Sequence, residues 1–208
     1  MGSDPGAGDA RAADAHADPV ILEHLRERIE RLGRETVEIA AYDSRWPDLF
    51  LEERARLIAM FPAPVRRVEH FGSTAVPGLS AKPIVDMLVE VTSLEEVKAR
   101  IVPVLESAGY DYLWRPTTGD DGPPFYAWFI KRNNEGQRTH HIHMVERDFP
   151  HWDGLLFRDY LIAHPDVAQQ YADLKRRLAA HFPSDRIAYT DGKGEFVRYI
   201  TGVARRTI

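Results

Sequence analysis

Residues 69–91 read EHFGSTAVPGLSAKPIVDMLVEV, and the way this stretch divides decides the fold. Arg67-Val68-Glu69-His70-Phe71 is an extended, β-favouring run that stops at a Gly72-Ser73 turn. A loop containing Pro77, Gly78 and Pro83 follows, and Asp86 then stands at the head of a second apolar strand, Ile84 to Val91. Gly72 lets the backbone approach a ligand with no side chain in the way. Successive backbone N–H groups in such a turn, with the hydroxyls of Ser73 and Thr74, form a cradle for phosphate oxygens. A carboxylate on the adjoining strand suits the divalent ion that screens those oxygens. Lys82, before the rigid Pro83, supplies a point charge for phosphate. Together these parts describe a site for a nucleoside triphosphate or another polyphosphate.

Outward from this stretch, elements alternate. Residues 1–18 are Ala, Gly and Asp with little to bury and read as a mobile tail. Ile21, Leu22, Leu25, Ile29 and Leu32 recur at helical spacing over residues 20–33. Residues 36–42 favour a strand. Asp43 or Ser44 then caps a helix reaching about Met60, with Pro47 in its first turn. Ser93 and Glu96 form a capping box for a helix to about Ala108, and Gly109 suits its stop. Strands are expected over Tyr110–Trp114, Phe125–Lys131 and Arg138–Glu146, the last two joined by a hairpin turn at Asn133–Gly136. From Phe149 onward the pattern is helical, with breaks at His164-Pro165, Phe182-Pro183 and Asp191-Gly192. This order predicts an α+β fold: a mixed sheet with packed helices on one side, then a C-terminal helical bundle from about residue 149. The expected organisation is a single domain over residues 19–208 behind the tail.

Composition narrows the function. The 208 residues are 44% hydrophobic, enough for a sizeable core, and carry a net charge of −5. That balance argues against a nucleic-acid or anionic-membrane partner, both of which favour basic surfaces. The chain has no cysteine, so neither disulfides nor thiolate chemistry are open to it, which fits the cytoplasm. It shows neither an apolar run of transmembrane length nor the pattern of a signal peptide.

The remaining candidates follow from side-chain direction. His141 and His143 lie two apart on a strand and share a face, while His140 points the other way. Imidazoles so placed suit a transition metal, a phosphate or a proton shuttle, or are satisfied structural residues. Asp86, in an otherwise apolar strand, needs a partner: a metal ion, Lys82 or a histidine. Arg158 either reaches the cleft or ties the helical tail to the sheet. Tyr171 and Lys175, neighbours at i,i+4, either line a base or phosphate or form a solvated helix face. Lys193, between Gly192 and Gly194, is a further phosphate candidate.

Gly72-Ser73 followed by Asp86 at the start of an apolar strand resembles the signature of the DNA polymerase beta-like nucleotidyltransferase superfamily. The fuller wording, residues 70–79 with residues 81–86, resembles the GrpB family within it, which also occurs fused to dephospho-coenzyme A kinase. Residues 42–47, 141–145, 157–161 and 171–175 extend the likeness, which runs from about residue 37 to about residue 200. The resemblance implies a nucleotidyltransferase-like sheet and an enzyme that moves a nucleotidyl group from a nucleoside triphosphate to a small acceptor, with Mg²⁺ or Mn²⁺. It implies metal and catalytic roles for Asp86 and His143, with His141 secondary. Gly72, Ser73, Thr74, Lys82, Arg158 and Lys175 would bind the phosphorylated ligand. One departure matters: where active superfamily members carry a second acid two positions after the first, this chain has Leu88. Glu90 shares the face but lies about 13 Å along the strand. The alternative is therefore a non-catalytic nucleotide- or coenzyme A-binding module that has lost its second metal carboxylate. A third reading is hydrolysis or transfer at a transition metal held by the histidines.

Overall fold

In the computed structural model, residues 35–116 and 124–207 are described. The tail and the helix expected before residue 34 lie outside them. Helix α1 spans Trp46–Met60 and leads into strand β1, Val65–Phe71. A short 3₁₀ turn, Ser73–Ala75, and a loop deliver the chain to β2, Val85–Val91. Helix α2 runs in three consecutive pieces, Leu94–Glu96, a π-helical Val97–Ile101 and Val102–Ser107. Strands β3 (Asp111–Pro116), β4 (Phe125–Arg132) and β5 (Arg138–Val145) follow. The C-terminal helices are α3 (Asp153–Ala163), α4 (Pro165–His181) and α5 (Arg186–Thr207).

The sheet order is β1-β2-β5-β4-β3. β2 and β5 run parallel at its centre, and every other neighbouring pair is antiparallel. Its two faces differ in chemistry because alternate residues point to opposite sides. Val85, Met87, Val89, Ile142, Met144 and Phe129 pack with Trp46 and Leu57 of α1 and with Val97, Ile101 and Leu105 of α2. Each such fully buried side chain contributes about 1.5–3 kcal/mol of transfer free energy. The opposite face carries Asp86, His141 and His143 beside an apolar patch of Leu88, Tyr126, Trp128 and Ile130 against Leu155. Helices α3, α4 and α5 form a third cluster through Phe157, Leu161, Tyr171, Ala172 and Ile200, which also covers Val76 and Leu79 of the loop before β2.

The predicted strands and the Asn133–Gly136 turn stand within a few residues of expectation, with Gly136 at φ +79° closing the turn. Four expectations change. Neither Asp43 nor Ser44 caps α1: Arg45 stands at its N-cap with no side-chain cap bond, and the Asp43 carboxylate accepts from the Arg45 N–H at 2.9 Å. Residues 36–42 form no strand: one isolated bridge pairs Ala40 with Ala81. Ser93 caps α2 by accepting from the Glu96 N–H at 3.1 Å, but the Glu96 carboxylate turns to Thr92 and Arg100 and leaves the box half built. Asp191-Gly192 does not break the last helix. A Cβ at Gly192 would stand 2.5 Å from Leu178 Cδ2, so the glycine lets α5 lie against α4. Among the described residues, no helix is long and apolar enough to cross a membrane.

Candidate functional site

The turn after β1 and the head of β2 are fitted to each other. Phe71 pairs with Asp86 across the antiparallel ladder, which brings Gly72 alongside the carboxylate. Gly72 has φ +72° and ψ −170°, and a Cβ there would stand 2.4 Å from Asp86 Oδ2. Glycine is therefore required twice, by the backbone and by the approach. Thr74 is buried, and its hydroxyl meets His70 Nε2 at 3.0 Å and the Ile84 carbonyl at 3.4 Å, so it braces the loop. Ser73 stays half-buried at the start of the turn, in contact with Tyr171 of α4.

Parallel pairing sets the acid against the histidines. Asp86 is opposite His141 and Leu88 opposite His143, so the polar side chains share one face. His141 Nδ1 lies 3.2 Å from Asp86 Oδ1. One ligand atom from each of Asp86, His141 and His143 falls within 4.8 Å of the others. His143 Nδ1 is buried and has no hydrogen-bond partner among the described residues. Its ring stacks on Tyr126 at 5.4 Å and meets Phe71 edge-on at 5.2 Å, which fixes its plane.

The protonation states suit ligands. Burial drives His141 down to about 4 even though Asp86 pulls the other way. Burial and the nearby His151 hold His143 well below the ordinary imidazole value. Both rings are neutral at pH 7, the form in which imidazole binds metal. Burial works to raise the Asp86 pKa, but the His141 hydrogen bond, with the nearby charge of Lys82, outweighs it and holds the carboxyl below its ordinary value. Asp86 is thus an anion beside two neutral imidazoles, one with an unpartnered nitrogen. A carboxylate with two imidazoles fits a divalent transition metal.

The candidate phosphate residues separate into two groups. Lys82 and Lys175 stand on the Asp86 side of the molecule, and the charge of Asp86 acts on both. Lys175 is 2% exposed and donates to the Ser80 carbonyl. Arg158 belongs elsewhere: its Nη1 donates to the His70 carbonyl at 2.7 Å and meets Glu69 at 3.3 Å, while Nε donates to Asp159 at 2.7 Å. It fastens α3 to the edge strand β1, as the structural alternative supposed. His140 faces the opposite side, with Nε2 3.3 Å from the Leu49 carbonyl of α1.

Two groups stand nearer the centre than sequence reasoning put them. His141, ranked behind His143, is the residue hydrogen-bonded to Asp86. Arg186 was not singled out, yet it adds positive potential at Lys82 and Lys193 while donating to Glu35 at 3.0 Å. The shared face of residues 141 and 143 is a local signal. The register against Asp86 has no local signal, because it depends on which strand lies beside β2.

Fold and site together define a mixed-sheet α+β protein with an Asp-His-His cluster at the head of its two central parallel strands. Residues 36–202 match the family described as GrpB protein, and the chain belongs to that family. It is 38% identical over 162 residues to the glutamate-rich protein GrpB of Alkalihalophilus pseudofirmus, covering 77% of this chain and 91% of that one. It is 40% identical over 171 residues to the UPF0157 protein YqkA of Bacillus subtilis, covering 82% of this chain but only 48% of that longer protein. The crystal structure of the conserved protein GrpB from Enterococcus faecalis superposes with a TM-score of 0.71 at 32% identity, covering 82% of this chain and 98% of that one.

Proposed function

We propose that this chain is a nucleotidyltransferase-like protein that binds a nucleoside triphosphate, or a similar phosphorylated ligand, at one divalent ion. It transfers the nucleotidyl group to a small acceptor. The observation that carries the reading is the convergence of Asp86, His141 and His143 within 4.8 Å beside the Gly72-Ser73 turn. Two imidazoles favour Mn²⁺ over Mg²⁺, which prefers an all-oxygen shell. When bound, the ion supplies charge neutralisation at the phosphate oxygens. Leu88, opposite His143, supplies no second carboxylate, so the reading takes one such ion rather than two.

In the transfer, an acceptor oxygen forms a bond to the α-phosphorus, and the bond from that phosphorus to the bridging oxygen breaks, releasing pyrophosphate. Ser73 and the backbone of its turn orient the phosphates, and Lys82 offsets their charge. His143 either completes the ion's ligand set or takes the acceptor's proton. Both roles need the neutral ring that burial gives it. Positioning and charge compensation supply most of the rate in such reactions, so one metal is compatible with slow turnover.

Titrating ATP calorimetrically with and without Mn²⁺, and assaying pyrophosphate, tests this. Binding should require Mn²⁺ and disappear in Asp86→Asn. ATP affinity indifferent to both changes overturns the reading. Leu88 favours a second reading, a non-catalytic nucleotide- or coenzyme A-binding module. Mn²⁺-dependent binding without pyrophosphate release across a panel of small hydroxyl and amine acceptors would select it.

A further inference from the structure

Close to the Asp86 site lies a concentration of positive charge that one divalent centre does not explain. Lys82 comes from the loop before β2, Lys175 from α4 and Lys193 from α5. The ammonium groups of Lys82 and Lys193 sit over the ring of Tyr189, at 5.2 and 4.5 Å from its centroid. That of Lys175 sits 4.7 Å from the centroid of Tyr171, the residue that touches Ser73. Tyr189 and Tyr171 are 1% and 5% exposed, so these rings are fixed walls. Among the described residues, neither the Lys82 nor the Lys193 ammonium makes an ion pair or hydrogen bond to another residue; each has only the Tyr189 ring beneath it. Asp86 is the carboxylate whose field reaches all three lysines, and it is already engaged with His141.

Lysines drawn from three separate segments into a poorly hydrated space repel one another and lose hydration, and a native fold tolerates this where an anion completes the arrangement. Burial, then the charge of Lys193, brings Lys82 and Lys175 down to about 7, and burial brings Lys193 to about 8. Lysine serves phosphate as a compact point charge with several donors. The ammoniums occupy two stations, Tyr189 and Tyr171, which suits a chain of linked phosphates better than a single one.

We propose that Lys82, Lys175 and Lys193 form a pocket for a polyphosphate chain, closed on one side by α5, and that it selects triphosphate-bearing ligands over monophosphates. This deepens the proposed function and rests on the reading of the Asp86 site as a phosphate site. Lys193, on the last helix, is its specificity-determining residue.

The test uses inorganic tripolyphosphate and orthophosphate on the full chain without metal, by calorimetry at pH 8 in two buffers of different ionisation enthalpy. Tripolyphosphate should bind at least about tenfold tighter than orthophosphate, and Lys193→Met should remove about that factor, the worth of a charge-assisted contact. Binding should take up protons, because the anion raises the lysine pKa values. Lys193→Arg should retain most of the affinity, and Lys82→Met serves as an independent second variant. Equal affinity for the two anions, or tripolyphosphate affinity unchanged in both methionine variants, overturns the proposal. If these results hold while ATP binding ignores Asp86→Asn, the metal reading falls and the pocket stands. If Asp86→Asn abolishes ATP binding while Lys193→Met and Lys82→Met leave tripolyphosphate untouched, the pocket alone falls.

Discussion

Replacing Gly72 by alanine places a methyl group where the Asp86 carboxylate now sits. The backbone there, at φ +72° and ψ −170°, lies in a region that costs a residue with a Cβ about 1–3 kcal/mol. The new Cβ would also stand 2.4 Å from Asp86 Oδ2 and 3.0 Å from Asp86 Cβ, so the carboxylate has to swing aside. That movement breaks the 3.2 Å contact with His141, an interaction of a charged group worth about 1.5–3 kcal/mol. The sum is on the order of 4 kcal/mol, which for a chain of this size lowers Tm by on the order of 10 °C. Gly78→Ala is the control: φ is +76°, but nothing lies within 4 Å of its Cβ, so only backbone strain of about 1–2 kcal/mol is added. Differential scanning calorimetry of both variants, with Mn²⁺ titrations alongside, separates strain from displacement. Gly72→Ala should lose Mn²⁺ binding, and Gly78→Ala should keep it. A Gly72→Ala protein that melts with Gly78→Ala and binds Mn²⁺ as the parent does would refute the argument that this turn positions the carboxylate.

Glu53 is 1% exposed on α1, accepts from the Tyr110 hydroxyl at 2.5 Å and is ion-paired with Lys131. Glu53→Ala should cost about 3–5 kcal/mol in urea unfolding, because it strands a buried hydroxyl and a cation. Burial lowers His70, His141 and His151 from 6.5 to about 4. The unfolded chain therefore binds more protons than the native one between those values, and Tm should fall as pH drops from 6.5 toward 4. A flat Tm over that window would count against neutral buried histidines. Leu88 is fully buried against the apolar patch, so Leu88→Asp should destabilise the metal-free protein by several kcal/mol. Excess Mn²⁺ should recover part of that loss, and recovery equal in parent and variant would show that position 88 lies out of reach of the ion.

The pattern of residues 69–91 was legible because it is local: alternating strands, a glycine turn and one carboxylate in an apolar run. His141 and His143 were likewise visible as a pair on one face. What sequence could not supply was adjacency. Nothing between residues 91 and 138 announces that β5, rather than β3 or β4, lies beside β2, and that choice decides that His141 is the residue touching Asp86. The Asp191-Gly192 pair was misread for a related reason. Its turn-like composition is overridden by Leu178 on α4, a tertiary contact that asks for a residue without a side chain. Arg158 shows the opposite limit, because charge alone does not say whether a guanidinium meets a ligand or the His70 carbonyl.

The parallel contact between β2 and β5 also sets an order of events. β4 and β5 close on each other over a short turn, and β1 pairs with β2 across the Gly72 loop. Joining these two hairpins requires α2, β3 and β4 to be spanned, and such non-local pairings form slowly. Asp86 belongs to the first hairpin, His141 and His143 to the second, and Lys193 to the final helix. An ion or phosphate can therefore be gripped only by chains whose halves have already docked. During refolding, ligand capture should lag the appearance of strand signal and mark the moment the sheet becomes continuous.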